Sequence, residues 1–210
     1  MTLQISDAVY LDNMKFELVG ANGHGLFDPK RHGLLPQRRS TACYNGYWRE
    51  YRVRDDQLML DTLCICCADI PPELEGIKPD KLKPSMRYDE VDGERVLRFV
   101  HPEELDPTVP AGFDYVYRAV KYHVSYTGGL LITRNYIGDP FEHLCFLPPH
   151  EYEEVHEILF VDGAVRRRND CSAKAAELRR KMSNLPSVFD PKSDPKTQHD
   201  IINEIFIMDY

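Results

Sequence analysis

The chain has 210 residues, of which 42% are hydrophobic, enough apolar material for a core that needs neither disulfides nor a metal ion. Its 34 acidic residues outnumber its 26 lysines and arginines, which gives a formal net charge of −8. This charge argues against nucleic acid or an anionic membrane as the main partner and favours a basic protein.

The sequence contains no apolar run long enough to cross a membrane, and its N-terminus lacks the basic and apolar regions of a signal peptide. We therefore expect a cytoplasmic protein. Its six cysteines are expected as reduced thiols, because stable disulfides are rare in that compartment.

The first predicted element is a β-hairpin over residues 8–18. Apolar residues alternate with polar ones on both sides of Asp12-Asn13, a pair suited to a two-residue turn. Residues 20–37 follow with several glycines and prolines, so we expect a loop there.

A second hairpin is predicted in residues 40–67, the densest aromatic and β-branched run in the chain. A turn at Asp55-Asp56 makes Tyr51 face Leu60, which predicts that both side chains enter the core. Trp48 falls on the opposite face, which we expect to be a partly covered surface.

Residues 69–115 are interrupted by prolines and predict an excursion between two β-rich halves. Only the stretch from Arg95 to Val100 has the alternation of a strand. In the second β-rich half, turns at Gly128-Gly129 and Asp162-Gly163 predict a third and a fourth hairpin. The pattern then changes, and residues 173–182 are predicted to form a helix capped by Asp170 or Ser172.

The predicted fold is one α+β domain, mainly antiparallel β. Two pseudo-repeated hairpin pairs, in residues 1–68 and 116–170, form a sandwich or a barrel-like sheet. The excursion of residues 69–115 separates them, and a helix and tail occupy residues 171–210. The tail from Ile201 to Tyr210 is apolar and must bury one face, either on its own domain or in a homodimer.

Several short motifs follow one another along the chain: Ser40-Thr-Ala-Cys43, Gly46-Tyr47, His143-Leu144, Phe146, Tyr152, Val155, Phe160 and Asp162-Gly163. They resemble those of a family of uncharacterised bacterial cytosolic proteins. In that family Ser-Thr-Ala-Cys-Trp-Arg-Gly-Tyr precedes a hairpin, and His-Met-Gly-Phe or His-Met-Gly-Tyr precedes Tyr-x-x-Val and Phe-x-Asp-Gly. The resemblance spans most of the chain and implies a shared fold.

Two positions depart from that family pattern. Tyr44-Asn45 replace the Trp-Arg pair, and Cys145 replaces the glycine that follows His-Met. If the arginine or the glycine is part of a catalytic site in the family, this chain has lost it.

Three cysteines lie close together at Cys64, Cys66 and Cys67, and such a cluster suggests a zinc site. Their spacing differs from that of the common zinc knuckle. In a strand, Cys64 and Cys66 point to one side and Cys67 to the other. We therefore predict buried core thiols and no metal site.

His143 is the candidate acid–base residue because it lies at a motif position, and Cys145 is a candidate nucleophile two residues later. Trp48, Tyr44 and Arg49 are, with His143, the candidate binding residues. The chain lacks the glycine-rich phosphate and dinucleotide motifs and the nucleophile elbow, so no cofactor is predicted.

The leading functional hypothesis is a non-enzymatic cytosolic module that binds another protein, as an immunity or antitoxin factor does. It rests on the acidity, the small size and the missing catalytic motifs. The alternative is a small-ligand binder or an enzyme with a cleft near His143.

Overall fold

The structure is a computed structural model that describes residues 4–91, 94–138 and 147–182. In chain order, its regular elements are β1 (Ala8–Leu11), β2 (Met14–His24), a 3-10 helix (Pro29–His32), β3 (Tyr47–Arg54), β4 (Gln57–Ile65), β5 (Asp80–Lys81), β6 (Met86–Val91), β7 (Glu94–Phe99), a 3-10 helix (Pro102–Glu104), β8 (Tyr115–Tyr117), β9 (Tyr122–His123), β10 (Thr127–Tyr136), a 3-10 helix (Pro149–Glu151), β11 (Tyr152–Val161), β12 (Ala164–Asp170) and α1 (Ser172–Met182). The predicted class, α+β and mainly antiparallel β, is confirmed.

Seven of the described strands form a closed ring. Hydrogen-bonded neighbours follow the order β12-β11-β10-β2-β1-β3-β4, and β4 meets β12 again where Gln57 pairs with Ala164. At this seam the Leu58 N–H donates to the Gly163 carbonyl oxygen at 2.8 Å. The β1–β3 pair is parallel, and the other pairs in the ring are antiparallel. Closure selects the barrel-like arrangement over the sandwich.

The hairpins with turns at Asp12-Asn13, Asp55-Asp56 and Asp162-Gly163 are confirmed. All six turn residues have positive φ, the geometry of two-residue turns that match the twist of antiparallel strands. Tyr51 faces Leu60 as predicted, and both side chains are fully buried.

The predicted third hairpin is wrong. Gly128 and Gly129 lie inside β10, which pairs with β2 on one side and with β11 on the other. The strand before them, β9, pairs instead with β4. The two glycines therefore belong to a continuous strand, and the predicted duplication of hairpin pairs is not confirmed.

Two other loop predictions are also corrected. Residues 20–24 continue β2, because their backbone pairs with β10 across the ring. The excursion of residues 69–115 contains the strands β5, β6 and β7, although the sequence predicted one strand there. The sequence did not predict β6 because prolines interrupt this region. In the structure its backbone N–H and C=O groups are paired with those of β7.

The main apolar cluster lies inside the ring, because each of the seven strands contributes to it. One residue from each strand, in chain order, is Val9, Phe16, Tyr51, Leu58, Leu130, Ile158 and Val165. A second cluster lies outside the ring around Trp48, and a third lies between β10, β11 and α1. These clusters hold the ring strands in fixed register, which positions the site described below.

The predicted C-terminal helix is confirmed as α1. The Ser172 N–H donates to the Asp170 carboxylate at 2.9 Å, and Leu178 is buried against β11. The Arg179 guanidinium donates to the carbonyl oxygens of His150 and Tyr152, at 2.7 Å each. No helix in the described residues is long and apolar enough to span a membrane.

Candidate functional sites

Trp48 lies on the outer face of β3, on the side that the sequence predicted, but its side chain is only 2% exposed. Its indole N–H donates to the Ser6 carbonyl oxygen at 2.7 Å. Ala8, Cys64 and Val116 pack in the same cluster. The predicted partly covered surface is therefore a fixed apolar wall.

An open cavity of about 350 Å³ lies against this wall. The segment before β1, the strands β1, β2 and β3, and two distant loop residues, Pro110 and Leu147, line it. Three of the lining residues, Ile5, Ala8 and Trp48, are apolar, and we call them the floor of the cavity. This volume falls within the range of small-molecule sites in proteins.

Arg49, a predicted binding residue, is held by the N-terminal segment. Its guanidinium donates to the Asp7 carboxylate at 2.6 and 2.9 Å and to the Phe27 carbonyl oxygen at 2.7 Å. Burial opposes the charge of Arg49, but the adjacent Asp7 carboxylate outweighs it and raises the pKa of Arg49. This ion pair fixes the segment that forms one side of the cavity.

Lys15 and Glu17 supply the remaining charge of the cavity, both from the outer face of β2. The Lys15 ammonium lies 5.5 Å from the centroid of the Trp48 ring and forms no ion pair with a described residue. Glu17 accepts a hydrogen bond from the Tyr152 hydroxyl at 2.7 Å. Burial and the Glu17 carboxylate raise the pKa of Tyr152, so its hydroxyl stays a donor.

Tyr44, the third predicted binding residue, does not line this cavity, although its backbone N–H donates to the side-chain oxygen of the lining residue Gln4 at 3.4 Å. Its ring is half exposed, and the Arg38 guanidinium lies 4.1 Å from the ring centroid. His143, Cys145 and the tail from Ile201 to Tyr210 lie outside the described residues. The cleft near His143 and the homodimer therefore stay predictions.

The prediction of buried thiols is confirmed for the described cysteines: Cys43, Cys64, Cys66, Cys67 and Cys171 are all buried and unbridged. Cys64 and Cys66 belong to the outer cluster and Cys67 to the inner one, as strand alternation predicted. Burial raises the pKa of each, that of Cys66 to about 11, so these thiols stay protonated at neutral pH. In the part of the chain that the structure describes, no group of three or more His, Cys, Asp or Glu is placed to hold a metal ion.

Sequence reasoning missed a second surface, the hairpin of β6 and β7. These strands pair with each other and with no other described strand. One face carries four exposed apolar side chains, those of Met86, Tyr88, Leu97 and Phe99, and Phe99 is 84% exposed. We call this set the hairpin face. The alternation of apolar and charged residues in both strands was the available signal, but the sequence analysis predicted only the strand from Arg95 to Val100.

Comparison of the chain with protein-family models, with curated proteins and with solved structures gave no match. The class of protein is therefore defined by its fold, an α+β protein with a closed and mainly antiparallel sheet. The family resemblance stays a prediction.

Proposed function

We propose that this chain is a non-enzymatic cytoplasmic module, of the immunity or antitoxin kind, that binds a basic protein through the hairpin face. The observation that carries the proposal is the exposure of Met86, Tyr88, Leu97 and Phe99 on a sheet of two strands. None of the four belongs to an apolar cluster of the described residues.

The energetics of a two-stranded sheet support a partner. An isolated hairpin is at best marginally stable in water, and it gains stability when its apolar face is covered. Full burial of a Leu, Met or Phe side chain contributes about 1.5–3 kcal/mol. A partner that covers Leu97 and Phe99 therefore both orders the hairpin and gains affinity from it.

The charge of the chain favours a basic partner. On the hairpin, Arg87 and Arg98 lie within ion-pair distance of Asp89, and the Arg95 guanidinium lies 5.0 Å from the ring centroid of Tyr88. The hairpin arginines thus have local partners, whereas the whole chain carries a net charge of −8. Long-range attraction then accelerates encounter with a positively charged protein.

A direct test is to express the tagged chain together with the products of the genes beside its own and to identify any stoichiometric bound protein. We expect a basic protein to co-purify with the wild-type chain. The double variant Leu97→Thr, Phe99→Thr should lose it, because threonine keeps the strand preference and removes the apolar contact.

The matched control is Val96→Thr, on the opposite face of the same strand, which should retain the partner. A partner that still binds the double variant would contradict the proposed surface, and a chain that captures no neighbouring gene product would contradict the proposed function. A second copy as the partner would appear as a dimer in size-exclusion chromatography, and deletion from Ile201 onward tests the tail.

The cavity beside Trp48 favours the alternative function, a small-ligand binder. Leu147, the first described residue after the segment that contains His143 and Cys145, lines that cavity.

A further inference from the structure

We propose that the cavity beside Trp48 binds a small amphipathic monocarboxylate, with the apolar body of the ligand on the cavity floor and its carboxylate at Lys15. This site shares no lining residue with the hairpin face, so the inference goes beyond the proposed function.

The floor of the cavity selects an apolar body. Ile5, Ala8 and Trp48 form it, and the loop residues Pro110 and Leu147 also line the cavity. The hydrogen bond from the indole to Ser6 and the Arg49–Asp7 ion pair fix two of its sides. A floor that is already in place requires little ordering when the ligand binds.

Lys15 selects a negative charge. Among the described lining residues it is the cation, and it forms no ion pair with any described residue. The Asp7 carboxylate at the same cavity is neutralised by Arg49. The buried Glu50 carboxylate interacts electrostatically with Lys15, but its ion pair is with Arg52, at 3.0 Å. An incoming carboxylate therefore meets the Lys15 ammonium beside the indole ring without breaking an ion pair between described residues.

Glu17 limits the ligand to one negative charge. It lies two residues from Lys15 on the same face of β2, and the Tyr152 hydroxyl holds its carboxylate in place. A second carboxylate or a phosphate on the ligand would lie either near this negative charge or against the apolar floor, and both positions are unfavourable for a second charge. The pair of charges thus favours a monocarboxylate over a dicarboxylate.

Trp48 is the only tryptophan of the chain, so all tryptophan fluorescence comes from a residue that lines this cavity. The experiment titrates the full-length chain with octanoate, and in parallel with octanol, octylamine and octanedioate, under excitation selective for tryptophan. Isothermal titration calorimetry gives the affinities independently. We expect saturable binding of octanoate and binding of the other three that is weaker by about tenfold or more.

Three lysine variants complete the test. Lys15→Met keeps the aliphatic stem and should weaken octanoate binding by about tenfold without changing the binding of octanol, and Lys15→Arg should restore it. Lys81→Met, in the exposed strand β5, is the control and should bind octanoate as the wild-type chain does.

The proposal is overturned if octanoate shows no saturable binding, if Lys15→Met binds it as well as the wild-type chain, or if octanedioate binds equally tightly. None of these results bears on capture of a protein by the hairpin face, so the two proposals fail separately.

Discussion

At the scale of single residues, two facing glycines decide how closely β2 and β10 approach. Gly23 pairs with Gly128, and both have a φ that side chains rarely adopt, +146° and +142°. A Cβ on Gly23 would lie 2.2 Å from the Thr127 carbonyl oxygen, and one on Gly128 would lie 2.0 Å from that of Asn22. Backbone thus fills the space that a side chain would need.

Gly128→Ala should therefore lower the free energy of unfolding by roughly 2–4 kcal/mol, from overpacking together with backbone strain. Urea unfolding measures the change. Gly76→Ala is the matched control, because its φ is also positive but no atom lies within 4 Å of the added methyl group. The control should lose only about 1 kcal/mol, and equal losses in the two variants would refute the close-approach explanation.

At the scale of elements, the start of α1 is bound to the sheet by hydrogen bonds. The Ser172 N–H donates to the Asp170 carboxylate, and the Ser172 hydroxyl accepts from the Val155 N–H at 3.1 Å. Hydrogen bonds from the Ser172 hydroxyl and N–H lower the pKa of Asp170. The charged carboxylate is therefore the form that stabilises the end of β12 and the first turn of α1.

The lowered pKa of Asp170 sets the sign of a pH dependence. A group whose pKa is lower in the folded chain stabilises it above the unfolded value, about 3.9 for Asp, and this contribution is lost as the pH falls through the folded value. Asp170→Asn keeps the hydrogen-bond acceptor and removes the charge. The difference in unfolding free energy between wild type and Asp170→Asn should be largest at neutral pH and shrink on acidification.

Urea unfolding at a series of pH values measures this difference. Asp69→Asn, which removes an exposed carboxylate elsewhere in the chain, serves as the control for loss of one negative charge. A constant difference between wild type and Asp170→Asn down to acidic pH would contradict the assignment.

At the scale of the whole molecule, the closed ring and the hairpin of β6 and β7 are separable. The ring encloses the main apolar cluster, to which the hairpin contributes no described residue. The hairpin leaves and rejoins the rest of the chain at one place, where the Val100 N–H donates to the Ser85 carbonyl oxygen at 3.0 Å.

Replacement of residues 86–99 by two glycines should therefore leave the ring folded, because the ends to be joined are already adjacent. We expect the midpoint of thermal unfolding to change by no more than about 4 °C, with unchanged Trp48 emission, and capture of the protein partner to be lost. A chain that no longer unfolds cooperatively would show that the hairpin is part of the core.

The sequence alone determined the local elements whose signals lie within a few residues of one another. The turns at Asp12-Asn13 and Asp55-Asp56, the facing of Tyr51 and Leu60, and α1 all follow from turn chemistry, side-chain alternation and helix capping. The glycines of β10 were misassigned because glycine suits a turn and a close strand approach equally well.

Only the tertiary structure decided which strands become neighbours and where the sites lie. The seam between β4 and β12 joins residues that are far apart in the chain, as do the walls of the cavity, which bring Lys15 and Trp48 beside Leu147. The physical reason is that ring closure depends on packing of the whole apolar set, and no short stretch of sequence carries that information.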